Sequence, residues 1–258
     1  MKLLIKIGGT LIDSGDRRQA IAAQIAAHCK GGGDRVVIVH GGGKQLSRYL
    51  EEQGFQSEFR GGFRVTPPEI LEAVLRIFAG SVNHHLVAAF QQAGLRAVGL
   101  TGIDAGLVQA RQLSAELGAV GEVEAVDASL LDLLTGSGYL PAIACIAGGS
   151  SGSIYNVNAD QMAVACAAQF QAEDLIFLTD VEGVLDENRR RLPRVTVAQA
   201  RALINSGVVS GGMEVKLRAA VSGISGGIAR VRIAAGSQPD ILQRLLNNQD
   251  AGTTISNA

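Results

Sequence analysis

Two short segments near the start of the chain combine residue types that could hold an anion, Lys6-Ile7-Gly8-Gly9 and His40-Gly41-Gly42-Gly43. Each ends a run of aliphatic residues, so its glycines fall at the carboxyl end of a strand, where backbone N–H groups converge and the following helix adds its positive end. One such turn reads as a tight connection and nothing more. Two together, one carrying a lysine inside an apolar strand, point to a cradle for phosphate or carboxylate. An unpaired ammonium beside Ile5 and Ile7 would cost several kcal/mol to bury, so Lys6 should face an anionic ligand or an acid. Two more clusters carry polar groups to helix starts. In Asn156-Val157-Asn158-Ala159-Asp160, Asn158 reads as an N-cap and Asp160 as a first-turn acid. In Gly211-Gly212-Met213-Glu214-Val215-Lys216, the lysine follows a double glycine by about a turn and, taken alone, reads as a solvated helix residue.

Several other chemistries are excluded. Gly43-Lys44 is followed by Gln45, which rules out the GxxxxGK[ST] phosphate loop, and GxGxxG does not occur. GxSxG occurs at 148–152 and at 223–227, but the hydrolase elbow needs a histidine after its serine and the last histidine is His85. The four histidines lack HExxH spacing and the three cysteines, Cys29, Cys145 and Cys166, form no CxxC pair, so neither a side-chain metal cage nor a disulfide framework is expected.

The elements that must position these residues follow from composition and periodicity. The 258 residues are 47% hydrophobic with a formal net charge of -1, which describes a folded chain without the basic surface of a nucleic-acid binder. Aromatics are 4% and Trp is absent, so stacking platforms for single strands are missing too. The uncharged run 133–159 is broken by Pro141 and glycines, and Lys2 and Lys6 interrupt the first apolar stretch, so a soluble, cytoplasmic protein without a membrane partner is expected. Near-continuous aliphatic runs at Lys2–Ile7, Arg35–His40, 175–179 and 229–235 predict parallel strands covered on both faces. Apolar residues three and four apart predict helices at 44–53, Pro68–Gln92, 159–170 and 211–222. The glycine-broken stretch 96–126 predicts short added strands or hairpins, and 55–64 a hairpin flap.

Seven segments in register along nearly the whole chain carry a resemblance. They are Lys6 to Gly9, His40 to Lys44, Gly62-Phe63-Arg64-Val65-Thr66, Asn156 to Asp160, Thr179-Asp180-Val181-Glu182-Gly183-Val184-Leu185, Gly211 to Lys216 and Gly252-Thr253-Thr254-Ile255. Together they resemble the amino acid kinase family, most closely its members that act on N-acetyl-L-glutamate. The resemblance implies an α/β fold, an open three-layer αβα sandwich with a mainly parallel central sheet. It implies an N-terminal lobe, 1–172, for the acyl amino acid and dimerisation, and a C-terminal lobe, 173–258, for ATP. It implies that Lys6 and Lys216 stabilise the transferring phosphoryl group and that Asp160 holds both lysines. Gly42, Gly43, Arg64 and Asn156 would bind substrate, with Arg64 gripping its α-carboxylate. Gly8, Gly9, Asp180, Gly183, Leu185, Val208, Ser210, Gly211 and Gly212 would surround the nucleotide.

The same resemblance implies Mg2+ held mainly by nucleotide phosphates and water, and a place in arginine biosynthesis. Phe63, Pro68 and Glu214 depart from the family pattern, and Glu214 is placed either to pair with Arg218 one turn on or to lower the local potential at the nucleotide. Family members that arginine inhibits carry an extra N-terminal helix that joins dimers into a ring; here the first strand begins at Lys2, so an arginine-insensitive homodimer is expected, with 70–90 as the contact face. Two other readings share the fold. One is a kinase of a related acidic substrate, such as carrier-linked aminoadipate or glutamate; the other is a non-catalytic ligand sensor, whose mark would be loss of Lys6, Asp160 or Lys216.

Overall fold

The computed structural model describes residues 1–257. Eight strands form the main sheet, and its middle is the apolar segment Lys2–Ile7 (β1). On one side β1 pairs in parallel with Arg35–His40 (β2), which is followed outward by Leu140–Ala144 (β8) and Ala97–Thr101 (β5). On the other side it pairs in parallel with Asp174–Thr179 (β11), followed by Arg230–Ala235 (β13), Thr253–Ser256 (β14) and Arg194–Thr196 (β12). Only the β13–β14 pairing is antiparallel. The family expectation of a mainly parallel sheet is met, and the predicted strands at 175–179 and 229–235 each fall within one residue of an observed one.

Alternation along β1 assigns its two faces. Leu3, Ile5 and Ile7 join one buried cluster, which is covered by Gly15–Cys29 (α1), Asn83–Gln92 (α4) and Ile241–Leu246 (α9) through residues such as Ile25, Phe90 and Leu242. Leu4 joins the other cluster, with Gly43–Glu52 (α2), Ala159–Gln169 (α6), Val197–Asn205 (α7) and Gly211–Ser225 (α8) contributing Leu46, Met162, Ala200 and Leu217. Ser129–Gly136 (α5) adds Leu131 to that side. Helices on both faces complete the three layers. Lys6 shares the phase of Leu4 and therefore points to the α6 side.

The expected single helix over Pro68–Gln92 is continuous but not uniform. Pro68–Val74 (α3) leads into a π-helical stretch, Leu75–Val82, and then into α4. Sequence periodicity does not distinguish the wider turn, because Phe78, Val82, Leu86 and Phe90 stay buried through it. The stretch 96–126 resolves into β5, Val108–Gln112 (β6) and Val120–Val126 (β7), and the last two close a small barrel with Ile146–Gly148 (β9) and Ile154–Val157 (β10). The flap at 55–64 is a hairpin of only two short strands, Phe59–Arg60 (β3) and Phe63–Arg64 (β4). Asp174, fully buried at the start of β11, accepts from Arg230 and Arg232 at 2.8 and 2.7 Å, an ionic anchor between neighbouring strands that the sequence did not announce.

Candidate active site

The carboxyl ends of β1, β2 and β11 meet at a cavity of about 780 Å³. Such ends are where open α/β sheets bind ligands. Lys6, Gly8 and Gly9 reach it from β1 and its turn, Gly43 from the turn after β2, and Thr179 and Asp180 from the end of β11. Arg64 enters from the flap and Lys216 from α8.

Asp160 joins the two lysines. Asn158 caps α6, its Oδ1 accepting from the N–H of Asp160 at 2.9 Å and of Gln161 at 3.2 Å, so the N-cap reading holds. That cap sets Asp160 in the first helical turn, 5% exposed, where one carboxylate oxygen meets the Lys6 ammonium at 2.6 Å and the other the Lys216 ammonium at 3.1 Å. Burial pushes the Asp160 carboxyl up, but the attraction of Lys6 and Lys216 outweighs it and holds the carboxyl below its ordinary range. The reading of Lys216 as a solvated lysine is corrected: its side chain is 18% exposed, because packing of α8 on α6 carries it to Asp160. Two ammonium groups on one carboxylate leave a net positive charge facing the cavity. Glu214, two residues earlier, pairs with Arg218 at 2.8 Å, the first of the two roles open to it from the sequence.

Arg64 supplies a further cation. It is 8% exposed, donates to Ser47 Oγ at 2.7 Å, to the Gly43 carbonyl at 3.2 Å and to Ser57 Oγ, and stacks under the Phe59 ring at 4.6 Å. Burial pushes its guanidinium below the ordinary arginine value. Its partners are all neutral, and no carboxylate among the described residues lies within ion-pair distance of it. Asn156 does not line the cavity; it donates to Thr66 Oγ1 at 3.1 Å, and Thr66 in turn donates to the Arg64 carbonyl at 2.7 Å, so β10 is tied to the flap.

Gly42 lies just behind the cavity wall, and a Cβ there would stand 2.7 Å from Phe78 Cδ1 in the π-helical stretch. Any side chain would push the turn off that helix. Gly183, Leu185, Val208, Ser210, Gly211 and Gly212 also stand outside the wall. Ser210 and Gly211 form the start of α8, and Val181, Leu185 and Val208 are exposed apolar side chains at 41, 41 and 37%.

Sequence reasoning missed much of the rim. Lys44, Ser47, Arg48 and Glu51 all line the cavity from α2, at spacings of three, four and seven, while Leu46 and Leu50 are buried on the opposite face. That polar stripe was the available signal. Thr10, Asp13 and Phe59 were missed as well, and Arg48 is held to Asp13 at 3.0 Å. Nearby Cys145 offers no nucleophile, since burial pushes its thiol up to about 12.

Residues 1–235 match the sequence profile of the amino acid kinase family. The acetylglutamate kinase of Solibacter usitatus is 54% identical over 258 residues, covering the whole of both chains. The acetylglutamate kinase of Agrobacterium fabrum is 39% identical over 266 residues, covering 98% of this chain and 90% of its own. Among solved structures, the smu.665 protein of Streptococcus mutans superposes with a TM-score of 0.86 at 28% identity, covering 100% of this chain and 99% of its own.

Proposed function

This chain belongs to the amino acid kinase family, and from that premise we propose how its cleft performs the reaction. It is an ATP-dependent kinase that phosphorylates the side-chain carboxylate of N-acetyl-L-glutamate in arginine biosynthesis. The observation that carries the assignment of roles is the Lys6–Asp160–Lys216 unit, which sets two ammonium groups side by side at the cavity without leaving either unpaired.

In the proposed mechanism Arg64 grips the substrate's α-carboxylate, and the N–H groups of Gly42 and Gly43 receive its reacting side-chain carboxylate, with Asn156 toward the acetylated end. Gly8 and Gly9 face the phosphates of ATP, and Asp180, Gly183, Leu185, Val208, Ser210, Gly211 and Gly212 surround the nucleotide. A carboxylate oxygen attacks the γ-phosphorus in line. The new O–P bond forms as the bond to the β,γ-bridging oxygen breaks, giving an acyl phosphate and ADP. Lys6 and Lys216 neutralise the charge that spreads over the transferring group, while Asp160 fixes their positions. No side-chain nucleophile is needed, which suits a site built from amides and cations.

Mg2+ would accompany the nucleotide and supply charge neutralisation at its phosphates. No cluster of three or more His, Cys, Asp or Glu that could cage a metal occurs among the described residues, and the Asp160 oxygens are taken by lysines. Asp180, a cavity carboxylate at the end of β11 that pairs with no cation among the described residues, would approach the ion through water, which fits an ion held mainly by phosphates. We place residues 1–172 as the acyl amino acid lobe and 173–258 as the ATP lobe. A cytoplasmic site of action suits the ATP dependence and the free thiols of Cys29, Cys145 and Cys166.

The deciding assay is ADP release with Mg-ATP and N-acetyl-L-glutamate, compared with glutamate, aspartate, N-acetylaspartate and carrier-linked acidic substrates. Turnover of only a carrier-linked substrate, or none at all, overturns the substrate or the catalytic reading respectively. Arg64→Lys keeps the charge but loses the planar fork, so it should raise KM for N-acetyl-L-glutamate about tenfold or more with little change in KM for ATP. Equal weakening of both would make Arg64 a support for the whole cleft. Partly exposed Leu71, Leu75 and Val87 on Pro68–Gln92 favour that helix as a self-complementary contact. Light scattering should then give twice the chain mass, and a monomer or a hexamer would refute the homodimer.

A further inference from the structure

Beneath the Gly41–Gly43 turn lies a polar pair that the reaction itself does not use. His40, at the end of β2, is fully buried, and Asn83, the first residue of α4, is 3% exposed. His40 Nδ1 is 2.9 Å from the carbonyl oxygen of Gly41, and its Nε2 is 2.8 Å from Asn83 Nδ2. A carbonyl oxygen can only accept, so Nδ1 carries the ring proton; Nε2 of the neutral ring then accepts from Asn83. The second Nδ2 proton of Asn83 goes to the carbonyl of Ala142 in β8, at 2.9 Å. Every polar contact of the pair thus specifies a single arrangement, in a layer where unmatched polar groups are costly.

Neighbouring residues are fitted to the pair. A Cβ on Gly99 of β5 would come within 2.0 Å of Asn83 Oδ1, so glycine there is what lets the asparagine sit flat on the sheet. The π-helical stretch Leu75–Val82 ends immediately before Asn83, and Phe78 and Val82 from that stretch press on Gly42. Such wide turns are frequent at functional sites. Burial pushes the His40 imidazole down to about 4, against a smaller upward pull from the Gly41 carbonyl, which keeps the ring neutral.

We infer that His40 and Asn83 are positioning residues that lock the plane of the Gly41–Gly42 peptide and so aim the amides of the carboxylate cradle. The peptide is planar and trans, so holding the Gly41 C=O down on the buried ring sends the Gly42 N–H the opposite way, away from the core. Neither the Gly42 nor the Gly43 N–H has a protein acceptor among the described residues. Asn83 ties this orientation to α4 and to β8, so the cradle is set by the sheet and the helix together. The inference rests on the reading of the Gly42–Gly43 turn as the receiver of the substrate's side-chain carboxylate.

Nitrogen NMR on the unaltered, uniformly labelled protein tests the lock, with the His40 signals assigned by sequential backbone-to-ring correlations in that same protein. The expected spectrum shows His40 protonated on Nδ1 and bare on Nε2, unchanged between about pH 5.5 and 8. Protonation on Nε2, or titration within that range, overturns the inference even if every variant fails to fold. In kinetics, Asn83→Leu should raise KM for N-acetyl-L-glutamate roughly tenfold and leave KM for ATP within about twofold. His40→Asn, which keeps a donor near the place of Nδ1, should recover most of the affinity lost in His40→Leu. Folded variants with both KM values unchanged, or raised equally, make the pair purely structural. If the unaltered protein does not turn over N-acetyl-L-glutamate, the functional reading fails, a result distinct from either of these.

Discussion

Replacing Lys6 or Lys216 with alanine is expected to lower kcat by roughly 10²- to 10³-fold or more, the effect of removing one preorganised donor from a developing charge. Both ammonium groups stand at the cavity on the oxygens of Asp160, 2.6 and 3.1 Å away, so neither needs to reorganise when charge builds on the transferring phosphoryl group. Either variant leaves Asp160 with one cation, and circular dichroism should show the fold retained. Loss should fall on kcat more than on either KM, because the interaction is strongest in the transition state. Near-normal turnover in either variant would remove the mechanism.

Asp160→Ala should cost both activity and stability. It leaves two ammonium groups with a combined side-chain exposure too small for full hydration, 10% and 18%, and breaking a buried ion pair from one side costs about 3–5 kcal/mol. The open cleft places this case at the lower end of that range. Turnover should fall by about 10²-fold or more as the lysines separate. Asp160→Asn keeps the shape and so isolates the charge. The Asp160 carboxyl of the folded chain titrates below the free value of 3.8, so its contribution to stability is complete above that pH and is lost as pH falls toward the lowered native value. Acid unfolding curves for the unaltered protein and Asp160→Asn should therefore stay a constant distance apart above about pH 4 and converge as pH falls below it. Parallel curves across the whole range would show that the carboxylate holds no charge-dependent role.

The legible parts of the fold are those with one dominant cause. β1, β2, β11 and β13 are buried on both faces, so apolar residues dominate them, interrupted in mid-strand by Lys6 and Arg232 alone, and the strands announce themselves. β8 hid behind Pro141, which reads as a breaker. Its pairing with β2 begins only at Ala142, so the missing N–H falls outside that ladder. The small barrel hid because β7, with Glu122, Glu124 and exposed positions on one side, has a mixed pattern that also fits a loop. Within the site, Lys6 was legible from a charge in an apolar strand. Lys216 was not, because its partner lies on another helix 56 residues away in sequence. Only the family resemblance joined them, and it passed over the α2 stripe from Lys44 to Glu51, which helical spacing alone could have supplied.

The central place of β1 has a consequence for how the chain reaches this structure. One edge of β1 finds β2 early, with Lys2 opposite Arg35, but the other waits for β11, with Leu3 opposite Asp174. Until residues 174–179 arrive, a strand in the middle of the future sheet keeps an open row of amides and carbonyls. Pairings so distant along the chain raise contact order, and the closure entropy they demand slows the rate-limiting step of folding. A nascent chain stalled before β11 also presents an unpaired, apolar edge, the kind that templates association with another copy. The same arrangement that brings Lys6 to the heart of the cleft leaves β1 paired along one edge alone until residues 174–179 have been made.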